Sequence, residues 1–184
     1  SSGAVYGTVG GGLLNSVIAE YATVPGGYAG ISALYGKVVH ASGFFSAIGD
    51  AQAGELVWRL TTVSGETVKP MFLDGAGITA ILPAERTWAF QILVVARSVG
   101  NVSAAWKVEG AIQNTAGTCA LVGAVTVTLI AVDAAISASW GVVANVAVVA
   151  DNTDKSLRIN VAATVDTATT VRWVATARLC EVAH

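Results

Sequence analysis

The sequence predicts an all-β protein in which a short repetitive β-stem precedes an antiparallel β-sandwich of jelly-roll type, assembled as a homotrimer. Three observations support this. A glycine-rich repeat fills the first fifty residues, and runs of alternating β-prone residues fill the remainder. Only 12% of the 184 residues are charged and 54% are hydrophobic. Average soluble chains are about 25% charged, so we expect much apolar area to be hidden between subunits.

The repeat begins at Tyr6, Tyr21 and Tyr35, and each copy is a short β-prone run closed by glycine. Small residues and turn glycines at a fixed period are typical of stacked coils, in which no single repeat buries its apolar side alone. Three short copies cover too little surface for a monomeric solenoid. Residues 1–50 are therefore predicted to form a trimerisation stem whose core is completed by other copies of the chain.

Residues 51–184 are predicted to form the sandwich. After Asp50 glycine becomes sparser, the strands lengthen and tryptophan appears for the first time. Nine or so strands joined by short turns favour an antiparallel sandwich. They span residues 55–63, 69–73, 77–82, 86–98, 103–113, 119–132, 137–150, 156–163 and 170–182. Residues 133–138 have helical character for one turn at most.

Composition argues against several classes of function. Ten basic and twelve acidic side chains give a net charge of −2, so no electrostatic footprint for nucleic acid exists. The strongest apolar run, residues 119–132, is shorter than the roughly 20 residues of a membrane-spanning helix, and we expect no membrane insertion. The chain starts at Ser1 without an initiator methionine, and we interpret it as a fragment.

No catalytic, metal or cofactor site is predicted. The two histidines, His40 and His184, form no recognisable triad with a nucleophile and an acid. Residues 151–154 resemble the start of a calcium loop but lack its glycine and its distal glutamate, so a hairpin loop is favoured. Cys119 and Cys180 have no metal-type spacing and are interpreted as small buried hydrophobes, with a disulfide between them left open.

Several motifs, in order from residue 47 to the end, carry a resemblance to one family. They are residues 49–52 (Gly-Asp-Ala-Gln), 59–62 (Arg-Leu-Thr-Thr), 72–75 (Phe-Leu-Asp-Gly), 87–97 and 172–176. Together they are similar to a C-terminal domain of tailed-phage tail fibre and tailspike proteins, and the opening repeat resembles the head repeats of trimeric bacterial adhesins. The resemblance implies a homotrimeric virion component, assembled in the host cytoplasm, whose tip binds a cell-surface glycan or protein. It supplies no binding residues.

Binding residues are therefore sought among the aromatic side chains and the loops. The five tryptophans are Trp58, Trp88, Trp106, Trp140 and Trp173. Aromatic faces stack on sugar rings, but a tryptophan within an alternating strand is typical of a core. Trp140 lies nearest a loop, and the clearest exposed loop contains Asp151, Asn152 and Asp154. These four residues are the predicted ligand-binding set.

Two other functions stay open. The chain could be a purely structural cap that registers and locks three fibre chains. It could also be a fragment of a polysaccharide depolymerase, because two carboxyl groups flanking a glycosidic bond suffice for hydrolysis. The candidate acids are Asp50, Glu55, Glu66, Asp74, Glu85, Glu109, Asp133, Asp151, Asp154, Asp166 and Glu181. Most lie in turns, where Asp bends the backbone, so we expect no enzymatic activity.

Overall fold

The computed structural model describes residues 5–63, 66–136, 141–162 and 170–184. Regular structure in these ranges is β-strand apart from two short 3-10 helices, Ala134–Ile136 and Val143–Asn145, which confirms the all-β prediction. The first of these helices is the single turn expected at residues 133–138. No helix within the described ranges is long and apolar enough to cross a membrane.

The stem is a stack of short coils held together by parallel strand pairs. Its strands are β1 (Thr8–Val9), β2 (Ser16–Val17), β3 (Thr23–Val24), β4 (Gly27–Tyr28), β5 (Ile31–Ser32) and β6 (Val38–Ser42). β1 pairs with β3, β3 with β6, and β2 with β5, all parallel, and strand residues fifteen apart lie opposite each other. Successive repeats therefore stack in register, as the period predicts.

Side-chain contacts between successive coils reinforce the coil stack. The rings of Tyr6, Tyr21 and Tyr35 follow one another with centroids 5.3 and 5.2 Å apart. The buried Asn15 amide donates to the carbonyls of Gly11 and Gly27 and accepts from the N–H of Gly30, which ties adjacent coils. Because these contacts lie along the stack, they set the spacing of the coils.

The core of the stem is small. Four aliphatic side chains with no exposed surface form its hydrophobic cluster: Val17, Ala22, Val24 and Val39. Around them large apolar side chains stay open, with Tyr6 74%, Leu13 62% and Ile18 61% exposed. One chain thus buries only part of the apolar surface of its own stem.

The long strands of the sandwich form one face of the core. They are β7 (Ala51–Thr62), β10 (Arg86–Ser98), β11 (Ser103–Thr115) and β16 (Val171–Ala183), with the shorter β12 (Thr118–Leu121) and β13 (Thr126–Val132) at the far edge. The strand order is β7-β16-β10-β11, and all these neighbours are antiparallel. We call this array the large sheet.

A smaller sheet covers the large sheet on its inner side. It contains β14 (Val146–Asp151) and β15 (Ser156–Val161), and β15 also pairs with β8 (Lys69–Pro70) and β9 (Ala80–Ile81). Aliphatic residues of β14 and β15 share one core cluster with the inward side chains of the large sheet. The predicted antiparallel sandwich is therefore present.

Tryptophans fill the centre of this core. Trp58, Trp88, Trp106 and Trp173 are all completely buried, as their alternating strands predict. The indole N–H of Trp106 donates to the carbonyl of Val142, and that of Trp173 donates to the Thr62 hydroxyl. Of the five tryptophans, Trp140 lies outside the described residues.

Four predicted strands are wrong in their extent, and two of them, 69–73 and 77–82, shorten to β8 and β9. The apolar run 119–132 is divided between β12 and β13, because Gly123 adopts a left-handed φ of 74° between them. Both pieces pair with β11, so the run is one bent edge. In the predicted strand 137–150, residues 143–145 form a 3-10 helix and pairing begins only at Val146; residues 137–140 lie outside the described ranges.

Strand length changes sharply near residue 50, from two to five residues in the stem to twelve or thirteen in the long strands. Hydrogen bonding nevertheless continues, because β6 pairs antiparallel with β7 and joins the stem strands to the large sheet. The division into residues 1–50 and 51–184 stays a prediction.

Candidate functional site

The predicted binding loop is the hairpin between β14 and β15, and its acids are bound within the chain. The Asp151 carboxylate accepts the N–H of Thr153 at 2.7 Å, and Asp151 and Asp154 both form ion pairs with Arg158. The hydrogen bond from Thr153, together with the charge of Arg158, lowers the pKa of Asp151. The hairpin predicted here is thus present, and it brings both acids together on one guanidinium.

Asn152 attaches this hairpin to the large sheet. Its side-chain oxygen accepts the N–H of Cys119 at 2.7 Å and a hydrogen bond from the Lys155 ammonium at 3.3 Å. Asp151, Asn152 and Asp154 therefore lie close together, whereas the place of Trp140 lies outside the described residues. Ligand binding by these four residues stays a prediction.

Two of the candidate acids accept hydrogen bonds from backbone N–H groups in turns. Asp50 accepts the backbone N–H groups of residues 45–47, and Asp74 accepts those of residues 76–78. Burial, the largest influence on Asp50, raises its pKa, but the N–H donors together outweigh it and lower the pKa to about 2. The donors to Asp74 lower its pKa to about 2 as well. Both side chains are thereby held as anions that fix the backbone.

Glu181 lies at the junction of stem and sandwich, where β16 ends. Its carboxylate contacts the Lys37 ammonium at 2.6 Å, the Gln52 amide at 3.0 Å and the Arg86 guanidinium. The Lys37 and Glu181 side chains are only 3% and 4% exposed. The Lys37 ammonium also lies 5.2 Å from the centroid of the Trp88 ring.

The pKa values at this junction follow from burial and opposite charge. Burial raises the pKa of Glu181, but the Lys37 charge and the surrounding donors outweigh it, so the pKa is lowered. Burial lowers the pKa of Lys37, and the attraction of Glu181 compensates only in part. Sequence reasoning missed this pair, because 144 residues separate its members and neither stands in a recognisable motif.

The side of the large sheet that points away from the core, here called the outer face, is unusually apolar. Its exposed aliphatic side chains are Val57, Leu93, Val95, Val174 and Val182, each between 41% and 52% exposed. They stand on three adjacent strands, β7, β16 and β10. The alternation of β16 was evident in the sequence, but both sides of β10 are rich in apolar residues, so the exposed side could not be identified.

A groove of about 690 Å³ crosses the outer face beside β6. Small residues that lie opposite one another, Ala53, Cys180 and Ala89, form its floor. Its polar lining residues are His40, Glu55, Gln91 and Arg178. Because these three side chains are short, they leave a recess between the longer side chains of Gln91 and Arg178.

The two cysteines differ from each other. Both are free thiols, so the disulfide left open by the sequence is not formed. Cys119 is buried as predicted, and burial raises its pKa. The prediction for Cys180 was wrong: it is exposed, because alternation along β16 puts it on the outer face with Arg178. Within the described ranges no group of three potential metal ligands occurs.

Comparisons with known proteins give structural neighbours only. No protein-family model and no curated protein matches the sequence. One similar structure is a tailspike protein of Acinetobacter baumannii bacteriophage Fri1, a capsular polysaccharide depolymerase. It is 8% identical with a TM-score of 0.37, over 90% of this chain and 28% of that one.

A second similar structure is the tailspike protein of Acinetobacter phage vB_ApiP_P1. It is 11% identical with a TM-score of 0.33, over 92% of this chain and 36% of that one. The chain thus spans about a third of the length of these proteins.

Proposed function

We propose that the chain is the C-terminal part of a phage tail fibre or tailspike, that three copies associate, and that the assembly recognises a host-cell surface receptor, most simply a glycan. This function places the protein in the virion tail. The proposal starts from the motifs between residues 49 and 176 that resemble such proteins. The observation that carries it is a stack of parallel coils running by hydrogen bonds into a sandwich with an apolar outer face.

The outer face has the size of a subunit interface. Four strands spaced about 4.8 Å apart, each rising about 3.3 Å per residue, give a face about 19 Å wide and about 40 Å long. That corresponds to roughly 800 Å², the area that each partner typically contributes to a stable protein–protein interface. Association through this face would bury the half-exposed aliphatic side chains that the chain cannot cover by itself.

Charges on the outer face suit association between identical copies. Arg178 lies 3.6 Å from Glu55, and Lys107 lies 3.0 Å from Glu109, so these charges cancel in the central part of the face. That part therefore does not favour a partner of strong opposite charge. Identical chains arranged around a closed threefold axis would place apolar rows against apolar rows.

A purely structural cap is the second candidate function. It is favoured by the buried Lys37–Glu181 pair, which fastens the last strand to the third coil of the stem. This ion pair would help to align three fibre chains even if the tip bound no receptor.

We assign no hydrolytic activity to the carboxylates. Asp50 and Asp74 are held by backbone N–H groups, Glu181 by cations, and Asp151 by the N–H of Thr153 and by Arg158. A glycosidase acid needs a raised pKa so that it can protonate the leaving group, and these interactions favour the opposite. Reducing ends released from host polysaccharide by the purified protein would contradict this assignment.

Adsorption of the purified, labelled chain to a panel of bacterial strains tests receptor recognition. We expect saturable binding to susceptible cells and loss of binding after periodate oxidation of their surface glycans. If protease treatment alone removes binding, the receptor is a protein. If no strain binds the chain, we conclude that it serves as a purely structural cap.

Trp140→Ala tests the predicted ligand-binding set in the same assay. We expect it to reduce adsorption without changing the mass of the assembly. Phe45→Ala is the control, because it removes another aromatic ring, 76% exposed, at the stem junction. Equal adsorption by the two variants would exclude Trp140 from the receptor site.

A further inference from the structure

We propose that Arg97 and Arg172 form an anion site at the distal edge of the outer face, and that this site takes the carboxylate of an acidic saccharide. The inference rests on the proposed function, since it names the chemical class of the receptor. It differs from the predicted loop of residues 151–154, whose carboxylates would repel such a ligand.

The two arginines stand at the end of the sandwich opposite the stem. β7 leaves the stem at Ala51 and ends at Thr62, and the register pairs Val171, the first residue of β16, with Thr62. Arg97 and Arg172 each stand one residue from this edge, on β10 and β16, in the last outward row beyond Val95 and Val174. They therefore lie at the solvent-accessible rim of the proposed subunit interface. In a fibre whose stem continues toward the virion, this edge faces the cell.

The strand register forces the two cations together. Arg97 lies directly opposite Arg172 in the antiparallel β10–β16 pair, and both side chains are exposed. Residues directly opposite have Cβ atoms about 4.5–5.5 Å apart, and like charges at such positions destabilise a sheet. A bound anion would remove this repulsion.

Other cations on the same face show what is missing here. Arg178 and Lys107 each have a carboxylate partner, Glu55 and Glu109 respectively, and Arg59 donates to the backbone carbonyl of Asp74. Of the residues that the structure describes, none places a carboxylate within ion-pair distance of Arg97 or Arg172. The distal edge therefore combines two adjacent positive charges without a described counter-charge.

Neutral groups already orient one of the two guanidinium groups. Arg97 donates to the side-chain oxygen of Asn101 at 2.9 Å and to the Ser103 hydroxyl at 3.5 Å. These acceptors hold the guanidinium without neutralising it. On the other side, Thr61 lies opposite Arg172 and offers a second hydroxyl.

The donor groups at this site determine which class of ligand it can bind. A guanidinium binds carboxylate, sulfate or phosphate through two parallel N–H donors, and this geometry is specific as well as strong. The hydroxyls of Thr61 and Ser103 can exchange hydrogen bonds with ring hydroxyls of a sugar. A saccharide that carries carboxylates, as uronic acid polymers do, satisfies both features.

Titration of the full chain with oligogalacturonate tests the site, with neutral dextran oligomers of equal length as the uncharged ligand. We expect binding of oligogalacturonate that weakens as salt is raised, and no binding of dextran. Arg172→Gln should weaken it about ten- to a hundredfold, the effect of losing a hydrogen bond to a charged group. Arg172→Lys keeps the charge but loses the two parallel N–H donors, so its affinity should lie between those of the wild type and Arg172→Gln.

Arg178→Gln is the matched control, because Arg178 lies on the same strand and face and its side chain is 82% exposed. We expect it to bind like the wild type. Equal weakening by Arg172→Gln and Arg178→Gln, or no weakening by Arg172→Gln, would overturn the proposal. Equal binding of polyglutamate would overturn the saccharide class, and tighter binding of a poly(glycerol phosphate) would replace carboxylate by phosphate.

Failure of this site is distinguishable from failure of the proposed function. If cells adsorb the wild type and Arg172→Gln equally, receptor recognition stands and the anion site is refuted. If oligogalacturonate binds in an Arg172-dependent manner but no cell adsorbs the chain, the anion site stands and the receptor role is refuted.

Discussion

The stem and the sandwich use similar aliphatic residues but bury them to different extents. The sandwich encloses four tryptophans completely between two sheets, whereas the hydrophobic cluster of the stem contains only small aliphatic side chains, three valines and one alanine. Much of the stem's apolar surface stays open, including Leu13 and Ile18. The sandwich thus buries the apolar side chains of its inner side within one chain. The stem needs the sandwich and, in our proposal, other copies of the chain to cover its apolar surface.

The largest expected effect is in the sandwich core. Trp58→Ala should destabilise the protein by about 3–5 kcal/mol, because a fully buried indole is removed and its cavity cannot collapse. Denaturant unfolding followed by near-ultraviolet circular dichroism measures it. An unchanged unfolding midpoint would mean that the sandwich does not dominate stability.

The next effect concerns the junction of the two regions. Glu181→Gln should cost about 3 kcal/mol, because it leaves the buried Lys37 ammonium without its counter-charge. The double variant Lys37→Met with Glu181→Leu should recover part of this loss, since replacing both members by apolar residues is often neutral, whereas Arg86 keeps only its hydrogen bond to the Gly49 carbonyl.

Hydrogen exchange shows where the junction variant acts. The amide of Thr23, which donates to the carbonyl of Lys37, should lose protection in Glu181→Gln before the amides of the long strands do. Simultaneous loss in stem and sandwich would mean that the two regions unfold as one unit.

A smaller effect is expected within the stem. Val24→Ala removes two buried methyl-sized groups and should cost about 1.5 kcal/mol. The matched substitution Val148→Ala in β14 removes the same groups from the sandwich core. If Val24→Ala lowers the unfolding midpoint as Trp58→Ala does, the stem core contributes more than its size indicates.

Acid should loosen both regions through their turn carboxylates. Asp50 and Asp74 bind protons at about pH 2 in the folded chain, against an ordinary pKa of 3.8. Between these values the unfolded chain holds more protons, so stability present above pH 4 is lost as the pH falls toward 2. Unfolding midpoints measured across this window should drop less in Asp50→Asn than in the wild type.

Local patterns predicted the sandwich core well, because alternation along a strand is read from neighbouring residues. The buried side of β16, beginning at Val171 and Trp173, follows directly from it. The stacked coils follow similarly from the spacing of Tyr6 and Tyr21.

Features that depend on distant residues could not be predicted. The Lys37–Glu181 pair and the neighbouring arginines Arg97 and Arg172 exist only once the β10–β16 register and the docked stem are known. The identity of the outer face depends on where the smaller sheet packs, and Leu93 and Val94 are equally apolar in the sequence.

Light scattering on the purified chain tests most directly whether the outer face joins identical copies. We expect three times the single-chain mass of 18.6 kDa for the wild type. Val174→Arg, on the central strand of the outer face, should give a smaller species, whereas Val68→Arg, 58% exposed beside β8, should stay trimeric. A well-folded wild-type monomer, or a Val174→Arg protein that stays trimeric, would contradict the account.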